Sequence, residues 1–388
     1  MATITARPVS GKRRRAGEES VLRHVDLLLL TLPLLLSGAG LLMIYSSTRV
    51  RLARDGISEL YYVQRQGVAI AIGVVAMVVT MAVDYRRLRD LWALVFVSII
   101  PLLAGVLVLG ATKKGAQAWF DVGSLQFQPS ELAKIAVVVA VAGYCHQHRG
   151  DLDAWRLTVA VAMAAVPIGL VLLQNDLGTA AVLGVCVGAV LVIAGIKLRH
   201  ALVLLLLGGS AIVAVVATGT LDDYKIDRIA SFIDQSVSEP ASRQSQAEYN
   251  LDQAKSAIVA GGFDGAGLFN GTLTKNAFVP EQHTDFIFTV VGEELGFVGG
   301  ATLLLLYGLL AWRLWRIAVL SSDFFGTLVV VGILAAFTFQ VFENIGMTLG
   351  IMPITGLPLP FLSYGGSAVI AMFVAVGLAL NVHMRRFS

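Results

Sequence analysis

The chain has 388 residues, 56% of them hydrophobic and only 14% charged, where a soluble globular domain carries roughly 25% charged residues. This composition excludes a soluble enzyme and reads as an integral membrane protein. The net charge of +3 says little about partners, because the charge is distributed by membrane side.

The chain opens on a basic tail, 1–25, where Lys12-Arg13-Arg14-Arg15 is followed by polar residues. The first apolar run after it is long enough to span, so no cleavable leader is expected. At about 20 mostly apolar residues per span, hydropathy predicts ten membrane helices. They lie near 26–47, 66–84, 90–110, 129–146, 156–174, 178–196, 199–219, 285–312, 324–349 and 362–384. Lys and Arg gather in the tail, in the short connections around 86–89, 149–156, 197–199 and 313–316, and at Arg385 and Arg386. The positive-inside rule therefore places both termini in the cytoplasm. The expected fold class is all-α: one ten-helix membrane domain over 26–384, with cytoplasmic tails 1–25 and 385–388. A large extracytoplasmic loop, 220–284, joins helices 7 and 8. Cys145 and Cys186 fall in or beside apolar segments and suggest neither a disulfide framework nor a zinc site.

In this topology the unusual polar stretches all emerge outside. After the first span comes Tyr45-Ser46-Ser47-Thr48-Arg49. Arg49, Arg51, Arg54 and Arg65 flank that outer loop, suited either to lipid headgroups or to a pyrophosphate. Gln128-Pro129-Ser130-Glu131 reads as a helix start. Glu131 and Lys134 share one helix face and can pair, and a cation more than one turn into a span usually faces a cavity or a partner. Gln174-Asn175-Asp176-Leu177-Gly178-Thr179 is a tight hairpin between two spans, where Asp176 suits the turn. Three prolines stiffen the loop from Pro353, which ends in Ser363-Tyr364-Gly365-Gly366-Ser367.

The stretch Phe278-Val279-Pro280-Glu281-Gln282-His283-Thr284-Asp285 stands where the longest loop re-enters a hydrophobic segment. Thr284 reads as an N-cap, which puts Asp285 in the first helical turn, where the helix dipole favours a carboxylate. Capping alone would explain it; a catalytic role is the other reading. Glu293 and Glu294 lie about two turns deeper and point elsewhere on a helical wheel, as expected for buried polar contacts to other spans. His283 suits a general base or a loop hydrogen bond. His146 and His148, on the inner side without further ligands nearby, read as solvated. No Gly-x-x-x-x-Gly-Lys-Ser/Thr loop is present, so ATP-driven transport is unsupported. No convincing internal repeat supports a secondary transporter, and nothing points to nucleic acid.

Taken together and in order, five motifs resemble the shape, elongation, division and sporulation (SEDS) family. They are Lys114-Gly115-Ala116-Gln117-x-Trp119, Phe127-Gln128-Pro129-Ser130-Glu131-Leu132-Ala133-Lys134, Asp176-Leu177-Gly178-Thr179, and Pro280-Glu281-x-His283-Thr284-Asp285 with Glu293-Glu294-Leu295-Gly296. The fifth runs from Asn344-Ile345-Gly346-Met347 through Pro358-Leu359-Pro360 to Ser363-Tyr364-Gly365-Gly366-Ser367. The wording around Asp285 is most similar to the elongation branch, with the division branch as near alternative. Two departures stand out: Asn175 where the family commonly has proline, and Phe263-Asp264-Gly265-Ala266-Gly267 without the usual lysine.

The resemblance implies a peptidoglycan glycosyltransferase that polymerises lipid II at the outer face of the bacterial plasma membrane. It implies Asp285 as the essential carboxylate, cavity positions at Glu131 and Lys134, and an acidic position at Asp176. Arg49, His283 and Ser363 complete the candidate substrate-binding set. Expected partners are lipid II, a class B penicillin-binding protein and other membrane proteins of the elongation complex. A divalent cation (Mg or Mn) could help the pyrophosphate leave. A lipid II flippase and a non-catalytic scaffold are the competing readings.

Overall fold

The computed structural model describes residues 24–113, 116–122, 125–203, 206 and 246–386. Most of the expected seventh span and of the loop before residue 246 lie outside the described residues, as do nearly all of the N-terminal tail and the last two residues. The chain forms α1 (Leu27–Arg54), α2 (Tyr61–Ala82), α3 (Arg86–Asp90), α4 (Trp92–Leu109), β1 (Ala111–Lys113), β2 (Ala116–Val122) and β3 (Leu125–Phe127). There follow α5 (Pro129–Gln147), α6 (Ala154–Leu173), α7 (Leu177–Ile193), α8 (Gln246–Gly261), α9 (Thr272–Lys275), α10 (Ile287–Leu320), α11 (Phe324–Leu349) and α12 (Gly366–Met384). Seven of these helices are long and apolar enough to cross a membrane: α1, α2, α4, α6, α10, α11 and α12. The shorter α7 and the polar-ended α5 pack inside that set, against α11 and each other. Apolar side chains such as Val97, Val108 and Leu305 face outward, as hydrocarbon contact requires.

Aspartates begin four of the helices. Asp26, Asp153, Asp176 and Asp323 accept backbone N–H bonds from Leu29, Arg156, Thr179 and Gly326, satisfying donors that a helix start leaves open. One helix end is closed by another helix. α12 packs along α2, and its Asn381 donates to the carbonyls of Thr80 (2.6 Å), Met81 (3.2 Å) and Val83. Arg385 adds bonds to Met81 and Ala82. The last turn of α2 is thus finished by the end of α12.

Four expectations are corrected. The fold is mostly helical, as expected, but not helical throughout: a three-stranded antiparallel sheet, β1-β2-β3, fills the connection between α4 and α5, in strands too short for a span-length hydropathy window to register. α1 continues to Arg54 instead of ending near residue 47, because the hydroxyls of Ser47 and Thr48 bond back to the Ile44 carbonyl (3.0 and 2.7 Å) and keep the polar stretch helical. The predicted 220–284 connection carries α8 and α9 in its described part, and α8 packs on α10. α10 begins at Ile287, so Asp285 precedes the helix and Thr284 does not cap it. Thr284 instead donates to the carbonyl and carboxylate of Glu281 (3.1 Å each), within a turn whose amides at 284 to 286 all point to the Glu281 carbonyl.

α10 is also broken. Gly296 sits at φ 62°, ψ −160°, a conformation open essentially to glycine. The break frees backbone groups on both sides. The Glu293 and Glu294 carbonyls accept from Ala266 and Gly267, and the Phe297 and Val298 amides donate to Gly262 and Phe263. The Glu293 carboxylate accepts from the amides of Leu273 and Thr274 and from the Thr274 hydroxyl (2.8, 2.8 and 2.6 Å). Glu294 accepts from Ser46 of α1 and the Phe269 amide. Both acids are buried and anchor the 262–276 segment against the helix.

Candidate active site

Asp285 is held from behind by its backbone. Asn344, fully buried in α11, donates from Nδ2 to the Asp285 carbonyl and to the Leu357 carbonyl, each at 2.7 Å. One amide therefore ties the turn before α10 to the proline-rich loop. At Gly356 in that loop, φ is +78°, and a Cβ there would stand 3.3 Å from Asp285 Oδ2. The lower part of the loop is fixed as well. Thr355 donates to the buried Glu343 carboxylate, and Ser363 Oγ accepts from Leu359 N at 2.9 Å. Gln66 of α2 donates to the Ser363 carbonyl and accepts from Gly365 N, both at 3.1 Å.

The partly exposed Asp285 lines a groove of about 430 Å³, within the ~300–1,000 Å³ typical of small-molecule sites. Its walls carry two guanidinium groups, Arg51 from the extended end of α1 and Arg65 from α2, and three tyrosines, Tyr61, Tyr62 and Tyr364. Arg65 lies over the Tyr61 ring at 4.3 Å and beside the Tyr364 hydroxyl. Burial raises that hydroxyl's pKa from its ordinary value, and the nearby Arg65 opposes the shift. The His283 ring packs on Tyr62 (4.6 Å between centroids) and Tyr364 (5.8 Å). Trp119 and Gln126 of the small sheet close one side. Ser367 holds that sheet to the start of α12, donating to Gln126 O and accepting from Gln128 N, both at 2.9 Å. The groove offers a carboxylate, cations and flat aromatic faces within one polar recess.

The candidate residues do not all meet there. Asp285 and His283 line the groove; Ser363 is buried just beneath it. Asp176 reaches it through Gln128, whose Nε2 donates to Asp176 Oδ2 at 3.1 Å. Burial raises the Asp176 carboxyl above its ordinary value, opposed by the Thr179 amide. Glu131 and Lys134 form a buried ion pair at 2.7 Å deeper in the bundle. Lys134 also donates to Gln340 (3.2 Å), and the void beside the pair is only about 20 Å³. Arg49 faces away from the groove, donating to the Phe269 carbonyl at 2.8 Å and lying over that residue's ring. The sequence did not single out Tyr62 or Gln66; it marked Gln128 only as part of a helix start and gave Asn344 no role. Its available signals were a tyrosine pair leading into a span and amides at membrane depth, which need partners.

Residues 26–387 match the model of the FtsW/RodA/SpoVE family, described as cell cycle proteins. The chain belongs to this family. Among its relatives are stage V sporulation protein E of Bacillus subtilis (strain 168), 36% identical over 92% of this chain and 96% of that protein, and the peptidoglycan glycosyltransferase MrdB of Escherichia coli (strain K12), 37% identical over 89% and 91%. A solved chain from a peptidoglycan synthase complex, in which polymerization and crosslinking are coordinated, superposes with a TM-score of 0.77. It is 33% identical, over 94% of this chain and 99% of that one. Family membership and the apolar helices make this a multi-pass membrane protein.

Proposed function

We propose that this member of the FtsW/RodA/SpoVE family polymerises lipid II into glycan strands at the outer face of the bacterial plasma membrane, in the service of elongation and cell shape. The observation that carries this reading is the position of Asp285 in a groove shared with Arg51, Arg65 and three tyrosines. The groove lies at the end of the bundle away from the arginines around Arg89, Arg313 and Arg385. With that basic end in the cytoplasm, as in the ten-helix topology, the groove opens where a lipid-linked sugar is presented outside.

In the proposed reaction the 4-hydroxyl oxygen of one lipid-linked disaccharide attacks the anomeric carbon of the growing chain. The bond from that carbon to the phosphate oxygen breaks, and undecaprenyl pyrophosphate leaves with the electron pair. Asp285 takes the hydroxyl proton as general base. The pyrophosphate needs positive charge as it departs. Arg51 and Arg65 supply it, because Lys134 is already paired with Glu131 and a guanidinium matches phosphate geometry. Among the described residues no group of three His, Cys, Asp or Glu side chains is arranged for a metal. Asp285 and Glu281 of the groove suit a Mg²⁺ completed by phosphate oxygens, and such an ion would add charge stabilisation at the leaving group. A class B penicillin-binding protein is the proposed partner that crosslinks the product.

The test is a gel assay of purified protein with lipid II, with and without divalent cation and partner. Asp285→Asn is expected to abolish polymerisation while the protein purifies, melts and binds its partner as wild type. Glycan of normal length from that variant overturns the assignment.

A further inference from the structure

At the opposite end of the bundle, Arg313 and Arg316 of α10 and His383 and Arg386 at the end of α12 surround a second cavity, of about 460 Å³, floored by Ile317 and Leu320. The polymerase reaction uses none of these residues. Arg313 is committed: it pairs with Asp26, the buried N-cap of α1, through Nε at 2.9 Å and through Nη2. Arg386 donates to His383 Nδ1 at 3.3 Å. Arg316 makes no ion pair among the described residues and lies 5.7 Å from the Trp312 ring. Arg313, Arg316 and Arg386 thus bring three guanidinium groups to one cavity with an apolar floor.

The setting identifies the ligand chemistry. Trp312 and Trp315 are about half exposed on the same stretch of α10, and tryptophan at a bundle surface marks the level of lipid headgroups. Exposed Leu305, Val319 and Leu320 provide an apolar face along α10. A guanidinium fork suits phosphate oxygens, and basic pockets between membrane helices on the cytoplasmic side are suited to anionic headgroups. We infer that this cavity binds the phosphodiester of an anionic phospholipid, with Arg316 and Arg386 gripping the phosphate and the acyl chains lying along α10. The assignment rests on the membrane orientation proposed above but not on the polymerase reaction.

The full-length protein, purified in mild detergent, is titrated with phosphatidylglycerol, phosphatidylcholine or soluble glycerol phosphate, and bound molecules are counted by native mass spectrometry. Phosphatidylglycerol is expected to bind in preference to both others. Arg316→Ala with Arg386→Ala is expected to weaken it roughly 30-fold, about 2 kcal/mol at 1.4 kcal/mol per tenfold. Arg199→Ala, which removes an exposed charge at the same end, leaves binding unchanged. Arg316→Gln alone keeps the Arg386–His383 contact and is expected to lose about fivefold, which keeps the test open should the double variant misfold. Equal binding of phosphatidylcholine, or unchanged affinity in the arginine variants, overturns the site. Glycerol phosphate binding as tightly as the lipid would make it a free-phosphate site and overturn the lipid assignment. Lipid II polymerisation by the wild-type protein reports on the groove separately.

Discussion

Asn344→Leu isolates the role of the amide behind Asp285. The substitution keeps the side chain's approximate volume and removes two 2.7 Å hydrogen bonds, to the Asp285 and Leu357 carbonyls. An orphaned buried carbonyl costs about 1–3 kcal/mol; the Leu357 carbonyl is buried and the Asp285 carbonyl partly so, so a loss of roughly 2–4 kcal/mol in unfolding free energy is expected. The effect on catalysis should exceed the fraction of protein lost to unfolding. The amide bonds the Asp285 carbonyl itself, whereas the other tie between this turn and the loop, from Tyr364 N to the His283 carbonyl at 2.9 Å, holds a different residue; a 1 Å displacement of a reacting group costs on the order of 100-fold in rate. The assay compares initial rates of lipid II polymerisation, at protein concentrations corrected for the folded fraction, with unfolding in the same detergent. Asn344→Asp, isosteric but with no proton to donate when ionised, should be at least as damaging. If Asn344→Leu polymerises within twofold of wild type, the amide does not position the carboxylate and the argument fails.

Gly356→Ala places a methyl group 3.3 Å from Asp285 Oδ2 in a left-handed backbone conformation. The strain is about 1–2 kcal/mol, and polymerisation should fall further than thermal stability does. Glu131→Gln leaves Lys134 buried without its carboxylate. A loss of about 3–5 kcal/mol is expected, while Glu131→Leu with Lys134→Met should recover much of it. Unfolding curves of the two singles and the double decide this, and additive losses would contradict the pairing. Gly296→Ala sets a Cβ 2.3 Å from Gly265 N and 2.6 Å from the Phe263 carbonyl. It should release the 262–267 segment, seen as faster amide exchange there and earlier protease cleavage.

The helical course of the chain was legible because membrane depth imposes a strong constraint. A segment that must bury its own backbone bonds and face hydrocarbon announces itself by length and hydropathy, and the predicted 324–349 coincides with α11. The misplacements follow from what hydropathy does not measure. α1 outruns its apolar stretch because side-chain hydroxyls and the arginines beyond them tolerate helix in water as well as in lipid. Thr284 has the residue type of an N-cap, yet its hydroxyl is taken by Glu281, one turn back, a competition set by tertiary packing. At the site, Asp285 was legible as an acid at a hydrophobic border. Glu293 and Glu294 were legible as buried polar residues, but only Glu294 reaches another span, at Ser46 of α1, while Glu293 is spent on Leu273 and Thr274 of the segment before α10. The placement of Arg49 against Phe269 and of Arg51 and Arg65 in the groove was not, because it depends on how far α1 continues and on which face the 262–276 segment covers. Asn344 could be noticed but not assigned, since its partners lie 59 and 13 residues away.

The closure of α2 by Asn381 and Arg385 carries a consequence for how the protein is made. The carbonyls at the end of α2 and the side chain that satisfies them are about 300 residues apart. During synthesis the chain emerges in order. The second helix therefore enters the membrane with its last turn unfinished, and it stays so until Asn381 and Arg385, at the end of α12, have left the ribosome. A chain that stops short of residue 381 contains every residue of the groove, yet it cannot secure the helix that presents Arg65 and Gln66 to it. Synthesis as far as Asn381 and Arg385 is thus itself a step in assembling the site.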